Sequence, residues 1–414
     1  MKTAKQLATL AKQAAPTIAL ATTSEKNDLL KKIAYSLQMN ATSILEANEK
    51  DIQRAKQNNM NEQLLDRLRL TADRLEQLAD SVLQLIHLPD EIGDLSAVIH
   101  RPNGLVIEER IVPFGVVGMI YEARPNVTVD ACALALKTSN AIVLRGSSSA
   151  VESNKALVHT LKKAFEQTTI DPNCINLLEN TSKAEATQFI KLKGLIDVLI
   201  PRGGAALIQK VVEEATIPVI ETGVGNCHIY VAKSADLHLT KSIVLNAKTQ
   251  RPSVCNACET LVVHEDFAKR HLSSLAEALL KEGVTLLGDS FAQSLHASIG
   301  SATDTDWSTE YLDLTLAIRC VSSTIEAISH INTFGTKHSD AIITNDNEEK
   351  EVFFTQVDSA CVYHNASTRF TDGFEFGFGA EIGISTQKLH ARGPMGLKAL
   401  TTTKYCISGN GQIK

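Results

Sequence analysis

The chain of 414 residues lacks an excess of charge of one sign, a long apolar run and an internal repeat. Its 41 lysine and arginine residues face 47 aspartate and glutamate residues, and a net charge of -6 argues against nucleic-acid binding. No window approaches the roughly 18 apolar residues of a membrane span, and the N-terminus lacks the apolar core of a signal peptide. We therefore expect a cytoplasmic protein that binds neither nucleic acid nor membrane.

Several common signatures of catalysis or binding are also missing. The chain contains no Ser/His/Asp order, no His-x-x-x-His pair and no Gly-Lys-Ser/Thr phosphate loop, and its 12 histidines are scattered. The eight cysteines are expected to be reduced, because the cytoplasm keeps thiols reduced and a chain of this size does not depend on disulfides. Six of them lie in apolar runs, where thiols usually pack in a core: Cys132, Cys174, Cys227, Cys320, Cys361 and Cys406.

What the chain does contain is a pattern typical of an α/β protein with two doubly wound parallel-sheet domains. Residues 1 to about 90 have helical spacing, with one apolar stripe from Leu29 after the cap-like Ser24 and another after Thr71. The segment 105–112 resembles an extended arm. Beyond it, short apolar runs alternate with helical segments, which predicts repeated β-α units. The predicted strands lie at 116–120, 141–144, 195–200, 218–220, 228–231, 260–263, 315–318 and 340–343.

Cys255 is the first candidate for chemistry. It lies in a Pro-containing loop, Gln-Arg-Pro-Ser-Val-Cys-Asn-Ala-Cys over 250–258, directly before a strand-forming segment. A thiol placed there can act as a nucleophile if a cation such as Arg251 lowers its pKa, and it can equally be a packed loop residue. Cys255 and Cys258 could also form a redox pair or half of a zinc site, although no second pair has that spacing.

Three turns could approach a phosphate. Gly203-Gly204 and Gly223-Val-Gly225 follow strands, but neither completes the dinucleotide-binding fingerprint. Arg145-Gly-Ser-Ser-Ser149 closes a strand and opens a helix, which fits either a phosphate cradle or a capped helix start. No acidic residue in this stretch is available to a free ribose 2′-hydroxyl, so a 2′-phosphate, and hence NADPH, is favoured over NADH.

Five longer motifs stand in order along the chain, at 112–126, 200–204, 219–228, 248–255 and 390–396. Together they resemble the γ-glutamyl phosphate reductases (glutamate-5-semialdehyde dehydrogenases) of the aldehyde dehydrogenase superfamily, nearly from end to end. The resemblance implies an NADPH-binding domain of residues 1–100 and 113–224 with part of 365–398. It also implies a catalytic domain of residues 225–364 and an oligomerisation β-arm of residues 101–112 and 399–414.

The resemblance assigns the catalytic residues by position. Cys255 matches the nucleophile, and Asn126 matches the asparagine whose amide forms the oxyanion hole together with the cysteine backbone N–H. Glu221 matches the glutamate that activates water in aldehyde-oxidising members, so here it is either structural or an activator of the thiol. The α-carboxylate of the implied substrate needs a cation, and Arg251 and Arg392 are the candidates for binding it.

The resemblance also indicates where NADPH or NADP+ would bind. Arg145 falls where the superfamily usually has a lysine near the cofactor ribose. The other expected cofactor-binding residues are Ser147, Ser148, Pro201, Gly203, Gly204 and Glu310. No metal is expected.

The implied activity is the NADPH-dependent reduction of L-glutamyl 5-phosphate to L-glutamate 5-semialdehyde and phosphate, through a Cys255 thioester, in proline biosynthesis. The expected partners are this small-molecule substrate, further copies of the chain and a glutamate kinase. Three alternatives stay open: an NAD(P)-dependent semialdehyde dehydrogenase that oxidises its substrate, a thiol redox or metal-binding protein, and a non-catalytic partner of a glutamate kinase.

Overall fold

The computed structural model describes residues 1–414 except for the side chain of Gln63. The chain divides into two compact units. Unit 1 comprises Met1–Thr222, Gly377–Gly383 and Met395–Lys414, and unit 2 comprises Gly223–Phe376 and Ile384–Pro394. Within the described part of the chain, no helix is long and apolar enough to cross a membrane.

Unit 1 begins with five helices, which confirms the helical prediction for the first 90 residues. The second apolar stripe forms the fifth helix directly after Thr71, whose hydroxyl caps it by accepting from the Arg74 N–H. The predicted cap Ser24 is wrong, because it lies inside the first turn of the second helix. Thr22 is the cap instead, since its hydroxyl and the Glu25 carboxylate each accept the other residue's backbone N–H. The helices are α1 (Ala4–Ala19), α2 (Thr23–Met39), α3 (Ala41–Gln57), α4 (Glu62–Leu68) and α5 (Ala72–His87).

A four-stranded parallel sheet forms the centre of unit 1. Its strands are β3 (Val116–Tyr121), β4 (Ala141–Arg145), β5 (Ile175–Leu177) and β6 (Val198–Arg202), in the order β5-β4-β3-β6. The predicted strand at 218–220 is wrong: Val219 forms only an isolated bridge with Leu199, next to Pro218, which has no N–H to donate. The helices of this part are α6 (Pro125–Lys137), α7 (Val151–Lys163), α8 (Lys183–Phe189) and α9 (Ala205–Glu214).

The predicted arm is a three-stranded antiparallel sheet. Its strands are β1 (Leu95–His100), β2 (Val106–Pro113) and β16 (Thr401–Ser408), with β2 in the centre. The arm therefore begins at Leu95, before the predicted start at residue 101. Strand β1 is mostly exposed, which left no buried apolar run to mark it in the sequence.

Unit 2 contains a seven-stranded sheet that is parallel throughout, in the order β10-β9-β11-β8-β7-β12-β13. Its strands are β7 (Cys227–Val231), β8 (Cys258–His264), β9 (Thr285–Gly288), β10 (Gly300–Ser301), β11 (Thr315–Val321), β12 (Ser339–Ile343) and β13 (Cys361–His364). The helices are α10 (Leu237–Thr249), α11 (Glu265–Lys281), α12 (Ser290–Leu295), α13 (Thr324–Phe334) and α14 (Asn347–Gln356). Strands β14 (Ile384–Ser385) and β15 (Gly393–Pro394) pair separately.

Successive residues of β8 show that both faces of this sheet are covered. Leu261 and Val263 belong to one buried apolar cluster, and Val262 between them belongs to another. Because neighbouring side chains of a strand point to opposite faces, a core lies on each side of the sheet. The predicted fold class, doubly wound parallel α/β with a small β-arm, is confirmed.

Candidate active site

Cys255 lies in the loop 250–257, between the end of α10 and the start of β8 in unit 2. The loop is a tight turn at this point, since the Ala257 N–H donates to the Val254 carbonyl at 3.1 Å. Cys255 is half-buried, whereas five of the six cysteines predicted to pack in a core are buried. Cys406, on the arm strand β16, is the exception and is also half-buried, so its predicted core position is wrong.

Burial makes the thiols packed in the core harder to ionise. Burial raises the pKa of Cys174 to about 11 and the pKa of Cys258 to about 12. A thiol that stays protonated is a poor nucleophile. Cys258 donates to the Thr260 carbonyl at 3.4 Å. Among the described residues, no three His, Cys, Asp or Glu side chains are grouped to hold a metal ion.

A second segment of unit 2, over 225–227, packs closely against the Cys255 loop. A β-carbon on Gly225 would lie 1.5 Å from the Cys255 carbonyl oxygen, so this contact is open only to glycine. The buried Cys227 thiol donates to the same oxygen at 3.1 Å. The Gly225 N–H in turn donates to Glu310 Oε1 at 2.7 Å. The structure thus brings Cys255 together with Glu310, a predicted cofactor-binding residue, through Gly225, which the sequence offered only as part of a turn that could approach a phosphate.

Arg369 is the functional candidate that the sequence did not reveal. It donates from Nε to Gln250 Oε1 at 2.8 Å and from Nη1 to the side-chain oxygen of Asn256. Both acceptors belong to the Cys255 segment, more than 110 residues away along the chain. In the sequence, only its position within Ser-Thr-Arg-Phe, over 367–370, could have drawn attention to this arginine.

The two arginines predicted to bind substrate lie in different surroundings within unit 2. Arg251 is exposed on the Cys255 loop. Arg392 donates to Asp358 Oδ1 at 2.9 Å, and Lys337 and Lys388 approach the same carboxylate. Burial alone would raise the pKa of Asp358. The three cations outweigh this effect and lower that pKa to about 2. The charge of Arg392 is therefore already shared with a carboxylate, and both substrate assignments stay predictions.

Asn126 and Glu221 belong to unit 1. Asn126 lies in the first turn of α6, which opens with Pro125, and its Nδ2 donates to Asp130 Oδ2 at 3.3 Å. Glu221 is half-buried, directly before Thr222, whose hydroxyl donates to the Pro201 carbonyl at 2.7 Å. The catalytic roles of both residues stay predictions.

The carboxyl ends of β4 and β6, which lie on either side of β3, carry the predicted cofactor residues of unit 1. Ligands of such folds bind at this edge of a parallel sheet. Arg145, at the end of β4, donates from Nη2 to the Thr181 carbonyl at 2.8 Å, while its buried Nε has no hydrogen-bond partner among the described residues. The Ser147 and Ser149 hydroxyls bond each other, and Ser148 is exposed.

These groups fit the anionic part of a dinucleotide, because a buried guanidinium N–H without a partner is available to a phosphate oxygen. The turn over 201–204 fits less directly. Glu122 Oε2 accepts from the Gly204 N–H at 2.9 Å at the start of α9, so that amide is already bonded. The Arg145 turn is therefore the better-supported phosphate site of unit 1.

Comparison with known proteins gives first the class and then the family. The model of the aldehyde dehydrogenase family matches residues 1–315. A gamma-glutamyl phosphate reductase of Shouchella clausii is 64% identical over the whole of both chains, and one of Geobacillus sp. is 55% identical over 97% of each. The crystal structure of gamma-glutamyl phosphate reductase from Thermotoga maritima covers both chains fully at 44% identity, with a TM-score of 0.97. The chain belongs to the gamma-glutamyl phosphate reductase family.

A more distant structure shares the fold alone. The acetylating aldehyde dehydrogenase from Geobacillus thermoglucosidasius is 17% identical, covers 99% of this chain and 97% of its own, and gives a TM-score of 0.70.

Proposed function

We propose that this chain reduces L-glutamyl 5-phosphate to L-glutamate 5-semialdehyde and phosphate with NADPH, as a step of proline biosynthesis. One observation carries the proposal. In a chain 64% identical to a gamma-glutamyl phosphate reductase, the half-buried thiol of Cys255 lies on a loop fixed by Gly225, Cys227 and Arg369. A thiol held in this way is suited to covalent catalysis.

Cys255 is the proposed nucleophile. Its thiolate attacks the γ-carbonyl carbon, a carbon–sulfur bond forms, and the bond between that carbon and the phosphate oxygen breaks. Phosphate is a good leaving group, so no strong general acid is required. The backbone N–H of Cys255 and the amide of Asn126 are the proposed donors to the oxyanion, and such a donor stabilises the transition state by about 3 kcal/mol.

The proposed cofactor-binding residues follow from the predicted set. Arg145, Ser147 and Ser148 would hold the 2′-phosphate of NADPH, because this turn offers an unpaired guanidinium N–H and hydroxyls and no carboxylate. Pro201, Gly203, Gly204 and Glu310 are the further proposed contacts. When bound, the reduced nicotinamide supplies the hydride that converts the thioester to the aldehyde.

Three assignments complete the proposal. Arg251 and Arg392 are the proposed partners of the substrate α-carboxylate. Arg251 has the stronger support, because it lies on the Cys255 loop and Arg392 is paired with Asp358. Glu221 is proposed either as a structural residue or as an activator of the thiol, since no water needs activation in this reaction.

The proposed subunit contacts lie on the β1-β2-β16 arm. Val98, Ile99, Tyr405 and Ile407 expose between 43% and 62% of their surface there. Exposed apolar patches of this kind often mark interfaces, so a homo-oligomer is favoured. Contact with a glutamate kinase stays a prediction.

The reaction is tested in reverse, by following NADP+ reduction with glutamate 5-semialdehyde in the presence and absence of inorganic phosphate. We expect a phosphate-dependent signal that Cys255→Ala abolishes. Cys406→Ala, which removes the other half-buried thiol, should keep it. Phosphate-independent oxidation would indicate the aldehyde-oxidising alternative, and no signal in the unaltered protein would contradict the proposed substrate.

A further inference from the structure

Arg369 bonds to residues on both sides of Cys255. It lies in a single helical turn, Thr368–Phe370, that follows β13. Its Nε donates to Gln250 Oε1 at 2.8 Å, and its Nη1 donates to the side-chain oxygen of Asn256. Since Gln250 directly follows α10 and Asn256 directly follows Cys255, one planar guanidinium spans the turn that carries the thiol.

The turn that carries Arg369 is bonded to the same loop through other atoms. The buried Thr368 hydroxyl donates to the Asn256 carbonyl at 2.7 Å. The Asn256 amide donates back to the Thr371 carbonyl at 2.9 Å and to the Arg369 carbonyl at 3.3 Å. These reciprocal bonds fix the backbone around Arg369 relative to the loop. Because the guanidinium is planar and rigid, it can hold its two bonds at little cost in side-chain entropy.

The charge of Arg369 is not cancelled by an ion pair. Both of its side-chain acceptors are neutral amides, and no carboxylate among the described side chains lies within 4.0 Å of it. Burial lowers the pKa of Arg369, and attraction to Cys255 opposes that change. The other ionisable groups of unit 2 that act on this arginine are Arg251, Asp372 and Cys227. An arginine remains protonated at neutral pH in any case, so a cation is bonded to the loop that carries the thiol and interacts electrostatically with Cys255.

From this geometry we infer that Arg369 is a positioning residue for the nucleophile: it clamps the loop on both sides of Cys255 and keeps a positive charge that favours the thiolate. The inference rests on the proposed role of Cys255 as the nucleophile and assigns to it a cation that the sequence had sought in Arg251. It requires no change in the other proposed steps.

The test is the rate at which iodoacetamide alkylates Cys255 from pH 6 to pH 10 in the full-length protein, followed by mass spectrometry of the Cys255 peptide. Arg369→Gln removes the charge, and Arg369→Lys keeps the charge but cannot bridge both acceptors. Arg270→Gln is the matched control, because Arg270 is an exposed arginine of unit 2 that bonds only to backbone carbonyls of Asp266 and Lys233. Thermal melting checks the fold of each variant.

We expect Arg369→Gln to move the midpoint of the alkylation profile up by about one pH unit, which slows alkylation about tenfold near pH 7. Arg369→Lys should show a smaller shift of the midpoint, together with a fall in kcat that Arg270→Gln does not show. A folded Arg369→Gln whose profile superimposes on that of the control overturns the inference. If Arg369→Gln does not fold, an Arg369→Lys variant with unchanged kcat and alkylation overturns it.

Alkylation needs neither substrate nor cofactor, so this test can be separated from the proposed reaction. A shifted midpoint in a protein without phosphate-dependent activity supports the role of Arg369 and rejects the proposed substrate. An unshifted midpoint in a protein with that activity rejects the role of Arg369 alone.

Discussion

The loop that carries Cys255 is held by more contacts than the Arg145 side chain. Gly225, Cys227, Thr368 and Arg369 all contact the Cys255 segment. The Arg145 side chain bonds one carbonyl and leaves its buried Nε without a partner among the described residues. The difference matches the two proposed tasks, because a covalent step needs one fixed geometry, whereas a dissociable anion needs donors that are still available.

The largest expected effect comes from disturbing the close contact between Gly225 and the Cys255 backbone. Gly225→Ala would place a β-carbon 2.7 Å from Cys255 Cα and even closer to its carbonyl, so the loop must move. We expect kcat to fall by about a hundredfold or more, because displacement of a reacting group by about 1 Å has that consequence.

The corresponding change in the other unit should be milder. In Gly204→Ala the added carbon meets only Glu122 Oε2, at 3.8 Å, which is an ordinary contact. Steady-state kinetics should show an effect limited to the KM of the cofactor. Similar losses of kcat in both variants would contradict the difference between the two regions.

A buried ion pair joins the two chain segments that flank the Cys255 loop. Lys248, near the end of α10, donates to Glu259 Oε2 at 2.5 Å, and both side chains are fully buried. Lys248→Met leaves the carboxylate without its cation and should lower the free energy of unfolding by about 3–5 kcal/mol in urea denaturation. Lys12→Met, which breaks the exposed pair with Asp197 in unit 1, should cost less than about 1 kcal/mol. Equal losses would refute the structural role of the buried pair.

A buried histidine, reached from Gly225 through Asn226 and Trp307, predicts that the stability of the fold depends on pH. The neighbouring Asn226 amide donates to the Trp307 carbonyl at 2.8 Å, and the Trp307 ring meets the buried His330 edge to face. Burial, followed by repulsion from His228 and Arg319, lowers the pKa of His330 from 6.5 to about 3. The folded state thus resists protonation, so the stability contributed by neutral His330 is complete above pH 6.5 and is lost as the pH falls towards 3.

Replacement of this histidine should reduce the acid sensitivity of unit 2. Between pH 7 and pH 4, we expect the free energy of unfolding to fall by roughly 2 kcal/mol less in His330→Phe than in the unaltered protein. The same substitution at the exposed His87, His87→Phe, provides the control variant. Denaturant titrations at both pH values measure the free energy of unfolding. An unchanged pH dependence in His330→Phe would show that this histidine ionises freely.

The smallest expected effect concerns the Arg145 turn, the proposed binding site of the cofactor phosphate. Arg145→Gln should weaken NADPH binding about tenfold and leave NADH binding nearly unchanged, because only a 2′-phosphate would use the guanidinium. Fluorescence titration with both cofactors measures the ratio of their Kd values. Arg74→Gln, in the helical region of unit 1, is the control. Equal weakening of both cofactors would place Arg145 elsewhere than at the 2′-phosphate.

The sequence predicted features that depend on local patterns. Buried parallel strands such as β3 and β8 are short apolar runs between turns, so they could be located without knowledge of their partners. The position of Cys255 between a helix and a strand followed in the same way. The start of the arm at Leu95 did not, because β1 is exposed and its partner β2 alone defines it.

Features that depend on strand order could not be predicted. Strand β7 pairs with β8 in the sheet, and this pairing brings Gly225 and Cys227 to the Cys255 loop. Arg369 reaches the same loop from the chain beyond β13, at the edge of the sheet. The pairing of Arg392 with Asp358 likewise joins segments that are distant in sequence. No periodicity of the chain records such contacts.

The most direct test is to trap the acyl group on the protein. The chain is incubated with glutamate 5-semialdehyde and NADP+ without phosphate, and its peptides are analysed by mass spectrometry. We predict a glutamyl adduct on the peptide that contains Cys255, absent from Cys255→Ala and removed when inorganic phosphate is added. Turnover without any adduct on Cys255, or with an adduct on another cysteine, would contradict the role of Cys255 as the nucleophile.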